Sequence, residues 1–400
     1  MKVLVILPQI PYPPTDGGKQ GLYYRINALA KYHDISAVMF NVEALDVNTS
    51  NIKKYFPDLK NIKIIQRSSG RISAGNVFTR LIEILKWLLG NRPREARIYQ
   101  SVLLNKYIEK EKFDLVDLEF PYVSELVDVQ ELQKNGIKCV CTIHNIEHKF
   151  KYDVYKRKGV PSFICRLEAE RLKRYELELF RQMDVVFSIS TYDAEYFNKL
   201  LNYSKVTYLP SILPRREKTW RGHGKYILFP GSLTFEPNFE GMKWFCENIA
   251  AYMKSKYGFV KIKITGKVTD TVKKCFEKFD AVEFTGFLSE DDLDKIYNDC
   301  LFAVVPIMSG AGIKIKILDC LSRGVPVVCS EFAALGIDEA PNNMVVCKDT
   351  NEFAAKVLEM LGDSELRKLY SDKGYEYYCR TYAHNNAVKL WSDEFTQCAT

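Results

Sequence analysis

Short apolar runs alternate with amphipathic stretches along almost the whole chain. A first series falls at residues 3–7, 36–40, 61–65, 114–118, 138–143, 185–189 and 205–209. A second falls at 226–230, 260–265, 281–285, 301–306, 325–329 and 344–347. A brief continuous apolar run bounded by turn residues is how a strand buried on both faces reads. Strands that alternate with helical spacing predict parallel sheets with helices on both sides. The expected class is α/β, with two Rossmann-like doubly wound domains. Residues 210–224, PSILPRREKTWRGHG, carry prolines, glycines and charges with little apolar periodicity, and read as the join. Domains are therefore expected over 1–210 and 225–375, with a linker at 211–224. From about residue 350 the pattern is helical, and 376–400 forms its last part.

Composition narrows the class. A length of 400 residues suits two or three domains at about 150 each. Apolar residues make up 47% and charged ones 27% of the chain, enough for a large core. A formal charge of +7 suits anionic substrates or an anionic membrane face without demanding nucleic acid. No arginine–aromatic platform or zinc-finger spacing occurs, so nucleic-acid binding is not expected. The 11 cysteines are not a disulfide scaffold, since an odd number leaves one unpaired. Cys139, Cys141, Cys320 and Cys329 sit in apolar runs, where thiols act as small hydrophobes of a reduced, cytoplasmic protein. The opening MKVLVILPQIPYPP is too short in apolar residues for a secretion signal and reads as a first strand. No apolar run reaches the roughly 18 residues of a membrane span. The segment Phe78 to Leu89 is a strongly apolar helical stretch followed by Arg92, Arg94 and Arg97. It reads as a helix packed on its own sheet, a lip over an acceptor groove, or a peripheral contact of 78–97 with an anionic membrane.

The densest chemistry lies in PIMSGAGIKIKILDCLSRGVPVV, residues 306–328. An apolar run gives way to the small loop Ser309-Gly310-Ala311-Gly312, then to a helical stretch with Ile313, Lys314, Lys316 and Asp319, then to a second apolar run. Small residues let backbone amides close on an anion, and a helix start adds positive potential. Lysines beside such a loop suit a diphosphate, and a carboxylate further along can accept from ribose hydroxyls. After the first strand, Gly17 and Gly18 are expected in a loop from Pro8 to Gln20, before a helix over Leu22–Tyr32. His144 to His148 spell H-x-x-E-H, an inverted zincin signature with Glu147 as base. An apolar strand runs straight into His144, however, which separates the two histidines and argues against a shared metal.

Taken together, these blocks resemble the GT-B glycosyltransferases, specifically the retaining family 4, over nearly the whole chain. The resemblance implies two Rossmann-like domains facing a central cleft, with the acceptor on the N-terminal side and a last helix, 376–400, crossing back to it. It places the donor on Gly231 and Ser232, on Ser309 through Ile313, and on Lys316, with Asp319 at the ribose. Relatives carry a basic residue soon after the first of these glycines. Here Pro237-Asn238 stands in that neighbourhood, so the cation is sought among Lys267, Lys314 and Lys316, with Lys314 the foremost phosphate contact. Phe287 is expected either to stack on the nucleobase or to sit in the core. His144 would meet the sugar or acceptor, while Gly17, Gly18, Asn145 and Glu147 shape the acceptor side. The family's first carboxylate is replaced by Ala311, so the sugar is not read from that position.

The implied activity is transfer of a sugar, with retention, from a nucleotide-diphosphate sugar to a saccharide or lipid-linked saccharide. Cell-surface polysaccharide or glycoconjugate synthesis is the expected setting. No cofactor is expected beyond that co-substrate, and no metal. The location implied is cytoplasmic, at the inner membrane face if the 78–97 contact holds. Two alternatives share the fold: a non-catalytic nucleotide-sugar-binding scaffold and a sugar-nucleotide epimerase.

Overall fold

The computed structural model describes residues 1–42, 48–66, 92–99, 103–214 and 216–399. The apolar helix expected over 78–89 lies outside the described residues, as does most of the 78–97 segment. Among the described residues, no helix is long and apolar enough to cross a membrane. Two compact units form: Met1–Ile212 with Ala387–Thr400, and Leu213–Asn386.

The first unit is built on seven strands: β1 (Lys2–Leu7), β2 (Asp34–Asn41), β3 (Ile62–Gln66), β4 (Leu115–Glu119), β5 (Lys138–Ile143), β6 (Val185–Ser188) and β7 (Val206–Tyr208). They lie in the order β3-β2-β1-β4-β5-β6-β7, and every pairing is parallel. Each apolar run of the first series is one of these strands. The winding reverses between β1 and β4. Ligands in open α/β sheets sit beyond the carboxyl ends of the strands at such a reversal.

Helix α1 (Gly17–Leu29) starts five residues before the Leu22 expected from the sequence. Asp16 is its N-cap, accepting from the Lys19 amide at 3.0 Å, which satisfies an otherwise orphaned donor. The expected glycine loop is thereby corrected: Gly17 and Gly18 form the exposed first turn of a helix, and neither takes a positive φ.

Two further helices, α2 (Glu147–Arg157) and α3 (Ser162–Gln182), follow β5. The second unit carries β8 (Tyr226–Phe229), β9 (Lys261–Thr265), β10 (Val282–Gly286), β11 (Phe302–Val305), β12 (Val327–Ser330) and β13 (Val345–Cys347). Their order is β10-β9-β8-β11-β12-β13, again parallel throughout. The reversal here falls between β8 and β11. Helix α4 (Glu236–Asn248) follows β8, and α5 (Ile315–Ser322) follows β11.

The later part of the expected linker is pinned within this unit. The Thr219 and Trp220 amides donate to the Arg323 carbonyl at 3.1 and 3.0 Å, and the Trp220 indole donates to Cys300 O at 2.9 Å. At the other end of the chain, α6 (His384–Ala399) brings the fully buried Trp391 into the first unit. Its indole donates to Pro210 O at 2.8 Å and its ring meets the edge of Phe187.

Candidate active site

The reversal in the second sheet sets the loop after β8 beside the loop after β11. Gly231 follows β8 with φ near +148, and its amide donates to Thr265 Oγ1 at 3.2 Å, at the end of β9. A Cβ on Gly266 would meet the Ser232 backbone nitrogen at 2.8 Å, so these two loops touch backbone to backbone and only glycine fits. Ser232 Oγ donates to Lys267 O at 2.8 Å. The α4 residue Asn238 donates to Ser232 O at 2.7 Å, which fixes its amide and turns its oxygen outward.

The Lys316 ammonium, from the first turn of α5, lies 2.5 Å from that Asn238 oxygen. A Cβ on Gly231 would come within 2.8 Å of it. Lys316 thus brings a cation to Asn238 and Gly231 from another element. Burial, then the neighbouring Lys314 charge, push Lys316 down to about 7. Lys314 itself precedes α5, and its ammonium donates to Gly312 O at 2.7 Å and Ala311 O at 3.4 Å. Lys314 thus faces the loop's own carbonyls, while Lys316 faces the glycine-lined reversal. Gly310 and Gly312 both take positive φ, near +105 and +66, a backbone that a side chain would strain.

Other expected donor residues are placed as follows. Ser309 donates to Glu240 Oε2 at 3.0 Å, so a carboxylate stands beside the loop that lacks one at Ala311. Ile313 is buried and Lys267 is exposed. Phe287 is 67% exposed, which removes the core alternative for its ring. Asp319 accepts from Tyr297 at Oδ2, 2.8 Å, and pairs through Oδ1 with Arg323, with Arg216 Nε at 3.5 Å. Both oxygens already have protein donors, so a ribose would have to share them.

In the first unit, His144 directly follows β5 and is 7% exposed. Its Nε2 lies 2.7 Å from Glu119 Oε2, and Phe120 stacks on its ring with centroids 4.6 Å apart. Glu119 and Asp117 occupy alternate positions of β4, both fully buried; alternate residues share one face of a strand. Two buried carboxylates require a cation. Arg25 from α1 supplies it, pairing with Asp117 at 3.2 Å and with Glu119. Trp391 covers the guanidinium at 4.4 Å. Burial, then the Arg25 charge, lower the His144 imidazole to about 3, so it is neutral at ordinary pH.

His148 belongs to a separate network. Its Nδ1 lies 2.5 Å from Glu176 Oε2 and its Nε2 lies 2.9 Å from Tyr196. Glu176, from α3, also accepts from the Glu147 amide at 3.0 Å, at the start of α2. Burial and the neighbouring Glu147 raise Glu176 well above the usual carboxylate range. Glu147 is buried under Tyr122, whose hydroxyl donates at 2.7 Å, and Asn145 donates to its other oxygen at 3.0 Å. The two histidines of the H-x-x-E-H spelling thus have different carboxylate partners. Among the described residues no group of three or more His, Cys, Asp or Glu could hold a metal.

Sequence reasoning missed Arg25, Asp117, Glu119, Glu176 and Asn238. The signal for the first three was present, since two carboxylates inside an apolar parallel strand cannot stand without a buried cation.

Two doubly wound parallel units, with glycine-rich loops and a lysine at the sheet reversal of the second, are the layout of the GT-B fold. Residues 224–363 match the family described as glycosyl transferases group 1. A relative named "Uncharacterized 44.6 kDa protein in cps region", from Klebsiella pneumoniae, is 23% identical over 89% of this chain and 90% of its own. The "O-antigen chain mannosyltransferase B" of Escherichia coli is 22% identical over 51% of this chain and 59% of its own. Among solved structures, sucrose-phosphate synthase from Thermosynechococcus elongatus superposes with a TM-score of 0.70 at 13% identity, covering 99% of each chain. Anabaena Alr3699/HepE, solved in complex with UDP and glucose, gives 0.66 at 12% identity over 99% of this chain and 100% of that one. The chain has the GT-B fold, and its residues 224–363 carry the glycosyl transferases group 1 domain.

Proposed function

We propose that the chain transfers a hexose from a nucleotide-diphosphate sugar to a saccharide or lipid-linked saccharide with retention of configuration. The setting would be assembly of a cell-surface polysaccharide or glycoconjugate, in the cytoplasm at the membrane's inner face. The observation that carries the donor assignment is the meeting of Gly231, the 309–312 loop and the Lys316 ammonium at one sheet reversal. Support for a nucleotide donor comes from the UDP complex of the Anabaena neighbour. The O-antigen mannosyltransferase and the cps-region relative support the polysaccharide setting.

In this reading the diphosphate lies against Gly231 and Ser232, with Lys316 and the start of α5 neutralising the charge that develops as it leaves. No metal and no cofactor beyond the co-substrate is proposed. Lys314 adds charge from the loop side, Asp319 shares a ribose hydroxyl with its protein donors, and the exposed Phe287 ring stacks on the base. The bond from the anomeric carbon to the phosphate oxygen breaks, and a bond to the acceptor oxygen forms on the same face. The acceptor proton passes to the departing phosphate. His144, in the first unit, hydrogen-bonds the sugar or acceptor, with Asn145 and Glu147 shaping the acceptor side near Gly17 and Gly18.

The test is transfer from UDP-, GDP-, dTDP- and CDP-hexoses to saccharide and lipid-linked saccharide acceptors, with the product's anomeric configuration read by NMR. One donor series giving the donor's own anomer is expected. An inverted product overturns retention, and absence of transfer from any donor overturns the reading.

A further inference from the structure

His144 has two ring nitrogens, and only one of them can face the substrate of the proposed transfer. Resting on that reading, we propose that Glu119 is a positioning residue that holds His144 as the Nε2–H tautomer, leaving Nδ1 as its hydrogen-bond acceptor.

Three observations carry this. Glu119 Oε2 is 2.7 Å from His144 Nε2, and Glu119 is paired with Arg25 through its other oxygen. A carboxylate so paired accepts, so the proton between the two groups belongs on Nε2. Secondly, His144 Nδ1 makes no hydrogen bond to any described residue. Thirdly, the ring is clamped: Phe120 stacks at 4.6 Å and 15°, and Glu119 lies on β4, the strand paired with β5. The charged groups around the ring are Glu119, Arg25, Asp117 and Glu147. Only Glu119 touches it.

Nδ1 therefore presents a lone pair, which recognises a hydroxyl as donor: a sugar hydroxyl of the donor or acceptor. A histidine free to flip would offer N–H or a lone pair with comparable ease, and would not select one hydroxyl orientation. Asp117 sits in the same buried cluster, taking Thr142 Oγ1 at 2.8 Å and Arg25 at 3.2 Å, yet does not reach the imidazole. It provides the control.

The experiment is 15N NMR of histidine-labelled full-length protein, with the His144 signal assigned by its loss in His144→Gln. Wild type is expected to show Nε2 protonated and Nδ1 unprotonated near neutral pH. Glu119→Gln, whose amide can donate as well as accept, is expected to admit the other tautomer and to lower kcat about tenfold or more. Asp117→Asn is expected to leave the tautomer unchanged, although it removes a buried charge from the same cluster. A wild-type His144 protonated at Nδ1 overturns the proposal whether or not any variant folds. A folded Glu119→Gln that keeps the wild-type tautomer and rate overturns it too. The tautomer is read without turnover, so failure of the transferase reading is separate: it appears as wild type giving no transfer from any donor.

Discussion

The Lys316 ammonium stands 2.5 Å from the side-chain oxygen of Asn238, a residue on α4 whose own amide is tied to Ser232 O. The pair places a positive charge beside Gly231 without a basic residue on the local chain. Lys316→Ala should weaken nucleotide-sugar binding by about 10- to 100-fold, the range of a charge-assisted hydrogen bond to phosphate. Asn238→Ala should lose less, since the charge remains but its aim is relaxed. Calorimetric titration measures both. Lys314→Ala should weaken binding less than Lys316→Ala, because the Lys314 ammonium is spent on loop carbonyls.

Donor affinity should also depend on pH in a defined direction. Free Lys316 titrates near 7, and a bound diphosphate favours its charged form, raising that value in the complex. Binding therefore takes up a proton above pH 7. Affinity should fall as pH rises from 7, by up to about tenfold per unit until the bound-state value is reached. Lys314→Ala removes a like charge and should move the onset to higher pH. Titrations in buffers of differing ionisation enthalpy read the proton uptake directly.

Gly231→Ala should act through Lys316. The new Cβ would meet the ammonium at 2.8 Å and the Asn238 amide nitrogen at 3.1 Å. A lysine end is flexible, so the protein should fold with a loss of about 1–3 kcal/mol from the strained φ. Donor affinity should fall as in Lys316→Ala, and the double variant should be little worse than either alone. Additive losses in that cycle would show that the two residues act independently.

His144 should shape acid stability. In the unfolded chain its imidazole takes a proton near pH 6.5, whereas in the fold burial and Arg25 delay this to about 3. The unfolded state binds more protons across that window, so the stability His144 contributes is present above pH 6.5 and is lost toward pH 3. The slope from this group is about 1.4 kcal/mol per pH unit. Denaturant midpoints of His144→Gln should fall less steeply below pH 6.5 than those of wild type. Parallel curves would place the imidazole in contact with solvent.

Much of the fold is legible in the chain because parallel strands buried on both faces must be apolar along their length, and each such run became a strand. The donor loops were legible because glycines at 231, 310 and 312 mark backbone that other residues would strain. What stayed hidden depends on side chains meeting across long sequence separations. Lys316 and Asn238 are 78 residues apart, and Arg25 and Asp117 are 92 apart; no periodicity encodes such pairs. Glu176, on a helix rich in charges, is fully buried and serves the start of another helix, a meeting that charge spacing alone does not reveal. The early start of α1 was missed because Asp16 as a cap outweighed the paired glycines that suggested a loop.

The central claim is that the second unit holds a nucleotide-diphosphate sugar at the Gly231–Lys316 site. Thermal unfolding of wild type and Lys316→Ala with UDP-, GDP-, dTDP- and CDP-sugars tests it most directly. At about 100 times its dissociation constant a ligand bound only by the folded state adds about 2.7 kcal/mol. One nucleotide series should raise the wild-type midpoint and raise that of Lys316→Ala by about half as much or less. Equal stabilisation of both proteins, or none of well-folded wild type by any series, would contradict the assignment.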